Sequence, residues 1–287
     1  MNLRERVGKA ALGRLTEAVG WSLERLPASL RPPADRTLFF EGKKNRRYWW
    51  HWSPRHRYVP AVYDVLSEGE WALLQEWFAD TERRELIGEA SVPFMSVLQG
   101  FVVGSAIAPI VQCGHYAGYS TLVLGFMLRK MKRQRALFTI DIDGAMCDYT
   151  RDWVARAGLE EVVTVVRGDS ADPEMPGRAR AAFGTDISSV LIDSSHQYEH
   201  TLRELDLWYG ALRPGGLLFL HDVSDFAASF DSTGKGGVSR ALKEWTARTQ
   251  APCLAVNAAA GPQEELTYKD GCGLGIVQKP RPVSEAR

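Results

Sequence analysis

Two apolar runs in this chain each end in a carboxylate with a histidine close by. Ser189-Val-Leu-Ile-Asp193 is followed three residues later by His196, and Leu217-Leu-Phe-Leu220 runs straight into His221-Asp222. If both runs are neighbouring strands of one parallel sheet, the two carboxylates converge, because such strands lie about 4.8 Å apart. A bare pair of carboxylates repels. One shared proton resolves that repulsion, and so does a hard divalent cation held with His221 or His196 beside it.

A third polar group belongs with them. Gln112-Cys113-Gly114-His115-Tyr116-Ala117-Gly118-Tyr119-Ser120-Thr121 lies between an apolar strand, Ile107 to Val111, and a helix whose Tyr119, Leu122, Val123, Phe126 and Met127 recur at helical spacing. Gly114 and Gly118 let the backbone turn tightly, and the amides that open the helix can donate to an anion. The spacing is not that of a dinucleotide fingerprint, because Tyr116 stands where the second glycine would leave room for a pyrophosphate. The next strand, Ala136 to Ile140, ends in Asp141, an acid placed to accept both hydroxyls of a ribose. Asp143 is a rival for that role, and the plainer reading has both residues capping the helix that starts near Ala145. A third strand, Val162 to Arg167, leads to Gly168-Asp169-Ser170. Its short polar groups can reach an adenine edge, or Asp169 can simply cap a helix after a solvated turn.

Strand, glycine loop, helix, strand, acid and helix in this order define a doubly wound α/β sheet, which binds ligands beyond the carboxyl ends of its strands. The full order of motifs, from G-x-Y-x-G-Y-S through T-I-D-I-D, G-D-S, I-D-x-x-H, R-P-G-G and H-D, resembles the class I S-adenosylmethionine-dependent methyltransferases. Within them it is most similar to catechol-type and bacterial natural-product O-methyltransferases, many of which need Mg²⁺. The resemblance covers roughly residues 93–279. It implies a Rossmann-like seven-stranded sheet with its last strand antiparallel. It implies that Gly114, Tyr116, Gly118 and Ser120 hold the methionine end of the cofactor, Asp141 the ribose, and Ser170, next to Asp169, the adenine side. It also implies that Asp193 and Asp222 are metal ligands, with His221 beside them, and that His196 occupies the base position. Two departures stand out. Gln112 replaces the usual first-strand acid, keeping an acceptor for the cofactor's amino group but losing a charge. His221-Asp222-Val223 replaces the Asp-Asn or Glu-Asp of metal-using relatives.

Methyl transfer from a sulfonium is an in-line displacement, so holding the acceptor oxygen on the leaving-bond axis supplies most of the rate. An acceptor hydroxyl must also lose its proton, which makes His196 the candidate general base. The alternative is a loop histidine that only packs or hydrogen-bonds; His200 and His115 suit a structural role better. The expected function is O-methylation of a small molecule, a sugar or secondary-metabolite scaffold. The alternatives are an RNA methyltransferase and a cofactor-binding partner protein without catalysis.

The remaining features bound this reading. The chain has 287 residues and four cysteines, Cys113, Cys147, Cys253 and Cys272, with no C-x-x-C spacing, which argues against disulfides and zinc. No apolar run approaches eighteen residues and no secretion signal opens the chain, so neither a membrane span nor export is expected and the cytoplasm is the expected location. Net charge is zero, yet residues 1–60 hold thirteen Lys or Arg against five Asp or Glu, a net of +8. Leu3 to Leu26 has the spacing of an amphipathic helix. Residues 43–57 interleave basic and aromatic residues, a pattern that suits stacking on nucleic-acid bases, an anionic membrane, an acceptor pocket, or a cover packed on the main domain. Residues 1–90 are expected to form a helical cap or oligomer contact, 91–279 the catalytic domain, and 280–287 a frayed tail. Phe230 to Gly237 is glycine-rich without phosphate-loop spacing and is expected to be a mobile loop over the site.

Overall fold

The computed structural model describes residues 36–40, 59–260 and 266–281. The predicted helix at 3–26 and the basic aromatic stretch at 43–57 lie outside the described residues. The chain divides into residues 1–39 and residues 40–287, and the sheet lies wholly within the second part.

Seven strands form one sheet in the order β3-β2-β1-β4-β5-β7-β6. They are β1 (Ile110–Cys113), β2 (Leu137–Asp141), β3 (Val163–Arg167), β4 (Ile187–Ile192), β5 (Leu212–His221), β6 (Cys253–Val256) and β7 (Leu274–Gln278). The pairs from β3 through β5 are parallel, and β7 runs antiparallel to both β5 and β6. Among the described residues eight α-helices accompany them: α1 (Ala61–Asp64), α2 (Glu68–Arg83), α3 (Val92–Gly104), α4 (Tyr119–Lys130), α5 (Gly144–Arg156), α6 (Met175–Phe183), α7 (Tyr198–Ala211) and α8 (Gly237–Thr249). The strand order reverses between β1 and β4, so the crevice expected of such a sheet opens beside Cys113 and Ile192.

The helices start where the local chemistry says they should. Ser67 caps α2 in a reciprocal box with Glu70, and Ser91 caps α3 just ahead of Pro93. Asp143 accepts from the amides of Ala145 and Met146 and so caps α5. Both sheet faces are apolar: Val111, Phe138, Val190 and Leu220 sit on one face in a buried cluster with Leu205, Trp208 and Trp245, and Leu137, Leu191 and Phe219 are buried on the other. Each indole of this size removes roughly 150–250 Å² from water. Trp77, wholly buried, donates its Nε1 proton to the Ala117 carbonyl at 2.8 Å, which fixes α2 to the glycine loop.

The first strand differs from its expected span. Pairing begins at Ile110 against Leu137 and continues through Cys113, because Pro109 has no N–H to enter the ladder. Gln112 and Cys113 are the last two residues of β1. The fifth strand is also longer than expected, with Arg213-Pro-Gly-Gly216 inside its span and a register break opposite Ile187 to Ser189.

Candidate active site

Two cavities open at the carboxyl edge of the sheet. One, of about 780 Å³, is lined by the glycine loop, by Asp141 at the tip of β2, by Gly168, Asp169 and Ser170 after β3, and by Asp193 to Gln197 after β4. The other, of about 440 Å³, is lined by Tyr63, Val92, His221, Asp222, Phe230 and Cys272. Asp193, His196, Tyr119 and the segment from Ile87 to Ala90 belong to both walls.

The larger cavity owes its shape to backbone. Gly114 has φ +81°, and a Cβ there would sit 2.0 Å from the Asp193 carbonyl oxygen, so any side chain would collide with the β4 loop. Gly118 has φ +89° and immediately precedes α4. Tyr116 is held in the left-handed region at φ 44° without being glycine, a strain that needs surrounding support. Asp141 gives that support: Oδ2 accepts from the amides of His115 and Tyr116 at 3.1 and 2.9 Å, and Oδ1 accepts from the Asp143 amide at 2.9 Å. The buried His115 braces the same loop, its Nδ1 lying 2.9 Å from the Tyr116 carbonyl. Burial lowers its pKa against the raising influence of Asp141. Both residues expected to be structural histidines are half-buried or buried; His200 pairs with Asp169 at 2.9 Å.

Of the residues expected at the cofactor, Gly118 is absent from the wall of this cavity, and Gly114, Tyr116, Ser120, Asp141, Asp169, Ser170 and Asp193 reach it. Gln112 does not. Its Nε2 donates to Ser120 Oγ at 2.7 Å and the Gly114 carbonyl at 3.1 Å, and its Oε1 accepts from Thr121 Oγ1 at 2.9 Å. The fully buried amide is thereby used up in bracing the loop from behind.

The smaller cavity is governed by charge. Asp193, His196 and Asp222 each bring one donor atom within 4.8 Å of the others. His196 Nε2 is 3.1 Å from Asp222 Oδ2 and 3.7 Å from Asp193 Oδ1, while His221 Nδ1 lies 3.4 and 3.5 Å from the same two oxygens. Both His196 and Asp222 have positive φ, 58° and 60°, so the backbone is bent to bring them together. Burial opposes the charge on His196, but hydrogen bonds and field from Asp193 and Asp222 outweigh it and raise its pKa to about 10. His221 is raised in the same way, by Asp222 and Asp270. Asp193 and Asp222 are both lowered despite burial, by the imidazoles they face.

Several residues here escaped sequence reasoning. Asp270, 1% exposed, accepts from Ser91 Oγ and the Cys272 amide and lies 3.1 Å from His221 Nε2. It thus anchors the far side of His221, and with its oxygens so engaged the His221–Asp270–Cys272 group is a hydrogen-bonded support. Asp231 accepts from Thr233, Lys235, Gly237 and Tyr198. The loop expected to be mobile is thus tied at its base, with Phe230 set 6.0 Å from the His196 ring. Tyr63 and Tyr119 join hydroxyls at 2.8 Å. A lone Asp in a glycine-rich loop and another between Lys269 and Gly271 carry no local signal that would single them out.

Residues 111–223 match the family model described as a methyltransferase domain. Among curated proteins no sequence matches the chain. Solved structures share its fold at low identity. One is the O-methyltransferase from Bacillus cereus in complex with SAH, 19% identical over 76% of this chain and 94% of that one, with a TM-score of 0.58. Another is the O-methyltransferase from Streptomyces achromogenes involved in tomaymycin synthesis, in complex with SAM, 21% identical over 75% and 91% with a TM-score of 0.54. A third is a putative caffeoyl-CoA O-methyltransferase from Staphylococcus aureus, 15% identical over 75% and 94%, also at 0.54. Among the described residues no helix is long and apolar enough to cross a membrane.

Proposed function

We propose that this chain, whose residues 111–223 match the methyltransferase domain model, moves a methyl group from S-adenosylmethionine to a hydroxyl of a small molecule. The observation that carries this reading is that the two cavities meet at Asp193 and His196. A donor in one and an acceptor in the other would be joined where the acid–imidazole cluster stands. Volumes of about 780 and 440 Å³ are of small-molecule size, and a sugar or secondary-metabolite scaffold is the proposed acceptor class.

The residues present suit the cofactor. Gly114 leaves no room for a Cβ and so lets backbone line the cavity closely. Asp141 is the proposed ribose ligand, Tyr116, Gly118 and Ser120 the methionine end, Asp169 and Ser170 the adenine side. Gln112 is proposed to act indirectly, through Ser120 and Gly114. The cofactor, when bound, supplies an activated methyl group on a sulfonium. This chain's work is then to align the acceptor oxygen and remove its proton.

The donor set also suits a divalent cation such as Mg²⁺, with Asp193 and Asp222 as carboxylate ligands and His221 Nδ1 facing both. Such an ion would stabilise a developing alkoxide or phenolate. His196 is the proposed base, on one condition. With Asp193 and Asp222 free to pair with it, its proton stays on to about pH 10; it accepts a proton near neutrality only when those carboxylates are committed elsewhere. Residues 61–90 contribute Tyr63 and the Ile87 to Ala90 segment to the walls, and we assign these residues the role of covering the acceptor. A cytoplasmic location and a homo-oligomeric state belong to the same proposal.

Calorimetric titration with S-adenosylmethionine, repeated with Mg²⁺ and then with EDTA, tests it. Wild type is expected to bind in the micromolar range, and Asp141→Ala at least tenfold more weakly. No binding by wild type in either condition would overturn the assignment.

A further inference from the structure

Among the groups bonded to the lining of the larger cavity is a carboxylate that the proposed chemistry does not use. Glu204, on the second turn of α7, is 0% exposed. Its Oε1 accepts from Ser170 Oγ at 2.5 Å, and Ser194 Oγ donates to it at 2.7 to 2.8 Å. One turn earlier on the same face, His200 places Nδ1 3.3 Å from Glu204 Oε2 and Nε2 2.9 Å from Asp169 Oδ1. One turn later, Trp208 donates its Nε1 proton to the Ser170 carbonyl at 2.9 Å. Positions 200, 204 and 208 recur every four residues and so form a single ladder along one side of the helix.

That ladder holds two loops that are far apart in sequence. Asp169 and Ser170 follow β3, Ser194 follows β4, and all three line the larger cavity. β3 and β4 are not neighbours in the sheet; β2 and β1 lie between them. Strand pairing links these loops only through β2 and β1, whereas a common anchor on α7 joins them directly. A buried carboxylate is a costly way to hold a fold together, since an apolar residue of similar size often serves stability as well or better. What it adds is direction: an oxygen pair that takes two hydroxyl donors from two loops sets where both loops stand.

We propose that Glu204 is a positioning residue for the adenine side of the cofactor cavity, fixing Ser170 and Ser194 together and, through His200, Asp169. This rests on the assignment of the larger cavity to S-adenosylmethionine. The acceptor side owes its shape to α1, α3, Phe230 and Asp270, none of which Glu204 bonds, so its loss separates cofactor from acceptor.

The test compares wild type, Glu204→Ala and Glu204→Gln, with the fold of each checked by circular dichroism. The readouts are SAH affinity by calorimetry and the KM values for S-adenosylmethionine and for an accepted hydroxyl substrate. Glu204→Ala is expected to weaken SAH binding and raise the S-adenosylmethionine KM by about tenfold, leaving kcat and the acceptor KM within about threefold. Glu204→Gln keeps an oxygen and a similar shape and is expected to recover most of that loss. If Glu204→Ala does not fold, Glu204→Asp, whose shorter side chain cannot bridge both serines, decides by the same split, with an expected rise of about fivefold in the cofactor KM. Unchanged cofactor constants, or kcat and both KM values shifting in proportion, would overturn this inference while wild-type binding leaves the cofactor assignment standing. Wild type that binds neither S-adenosylmethionine nor SAH would overturn both.

Discussion

The two cavities that share Asp193 and His196 are built on different principles. In the larger one, polar side chains are spent on holding backbone and loops: Asp141 on two loop amides, Gln112 on Gly114 and Ser120, Glu204 on two serines. In the smaller one, side chains face each other. Two carboxylates and two imidazoles lie within hydrogen-bonding or ion-pair reach, and each shifts the other's proton affinity. A cavity of the first kind is shaped before its ligand arrives and tolerates little change of backbone. One of the second kind is set by charge, and so responds to pH and cations.

This contrast can be broken most sharply at Asp222. Asp222→Asn keeps the shape but removes a charge from the cluster, and turnover with a hydroxyl acceptor is expected to fall at least a hundredfold while SAH affinity stays within about threefold. Loss of SAH binding instead would mean that the two cavities are one unit. Gly114→Ala probes the opposite side. A Cβ placed 2.0 Å from the Asp193 carbonyl oxygen forces the β1 and β4 loops apart, with an expected loss of about 3 kcal/mol in urea denaturation and of measurable cofactor binding. A stable Gly114→Ala variant with normal affinity would show that the loop is free to adapt.

Raising the pH reaches the charged cavity through His196. The folded-state pKa of His196 is raised, so its ion pairs stabilise the fold fully below the unfolded value near 6.5 and are lost as pH rises through about 10. In EDTA, the melting temperature is expected to fall by roughly 5 °C between pH 7 and pH 10.5, and His196→Gln to flatten that slope. A wild-type profile as flat as that of His196→Gln would remove the imidazole from the charge cluster. The smallest effect belongs to Asp143. As the α5 cap it is expected to cost about 1 kcal/mol when changed to Ala, with cofactor affinity unaltered; a tenfold drop in affinity would reinstate it as the rival of Asp141.

Much of this was legible in the chain. Apolar runs ending in Asp141, Asp193 and His221-Asp222 are enough to place three strand ends at one edge, because a parallel sheet puts every such end on the same side. Glycine at 114 and 118 is equally legible, since only glycine takes those backbone angles without cost. The first strand starts three residues later than expected because Pro109 lacks an amide, and Gln112, read as an acceptor for the cofactor's amino group, is a buried brace of the glycine loop.

What sequence could not supply were the partners that hold the site residues in place. Asp270 reaches His221 across 49 positions, and Glu204 reaches Ser170 across 34. The amino-acid sequence by itself determined the order of strands and helices, the glycine turns and the acids at the strand tips, because these depend on periodicity and backbone preference within a few residues. Only the tertiary structure decided which carboxylate faces which imidazole and which serine, and hence which histidine keeps its proton. Proton affinity depends on distances of roughly 3 to 4 Å between groups far apart in the chain, and no local pattern encodes those distances.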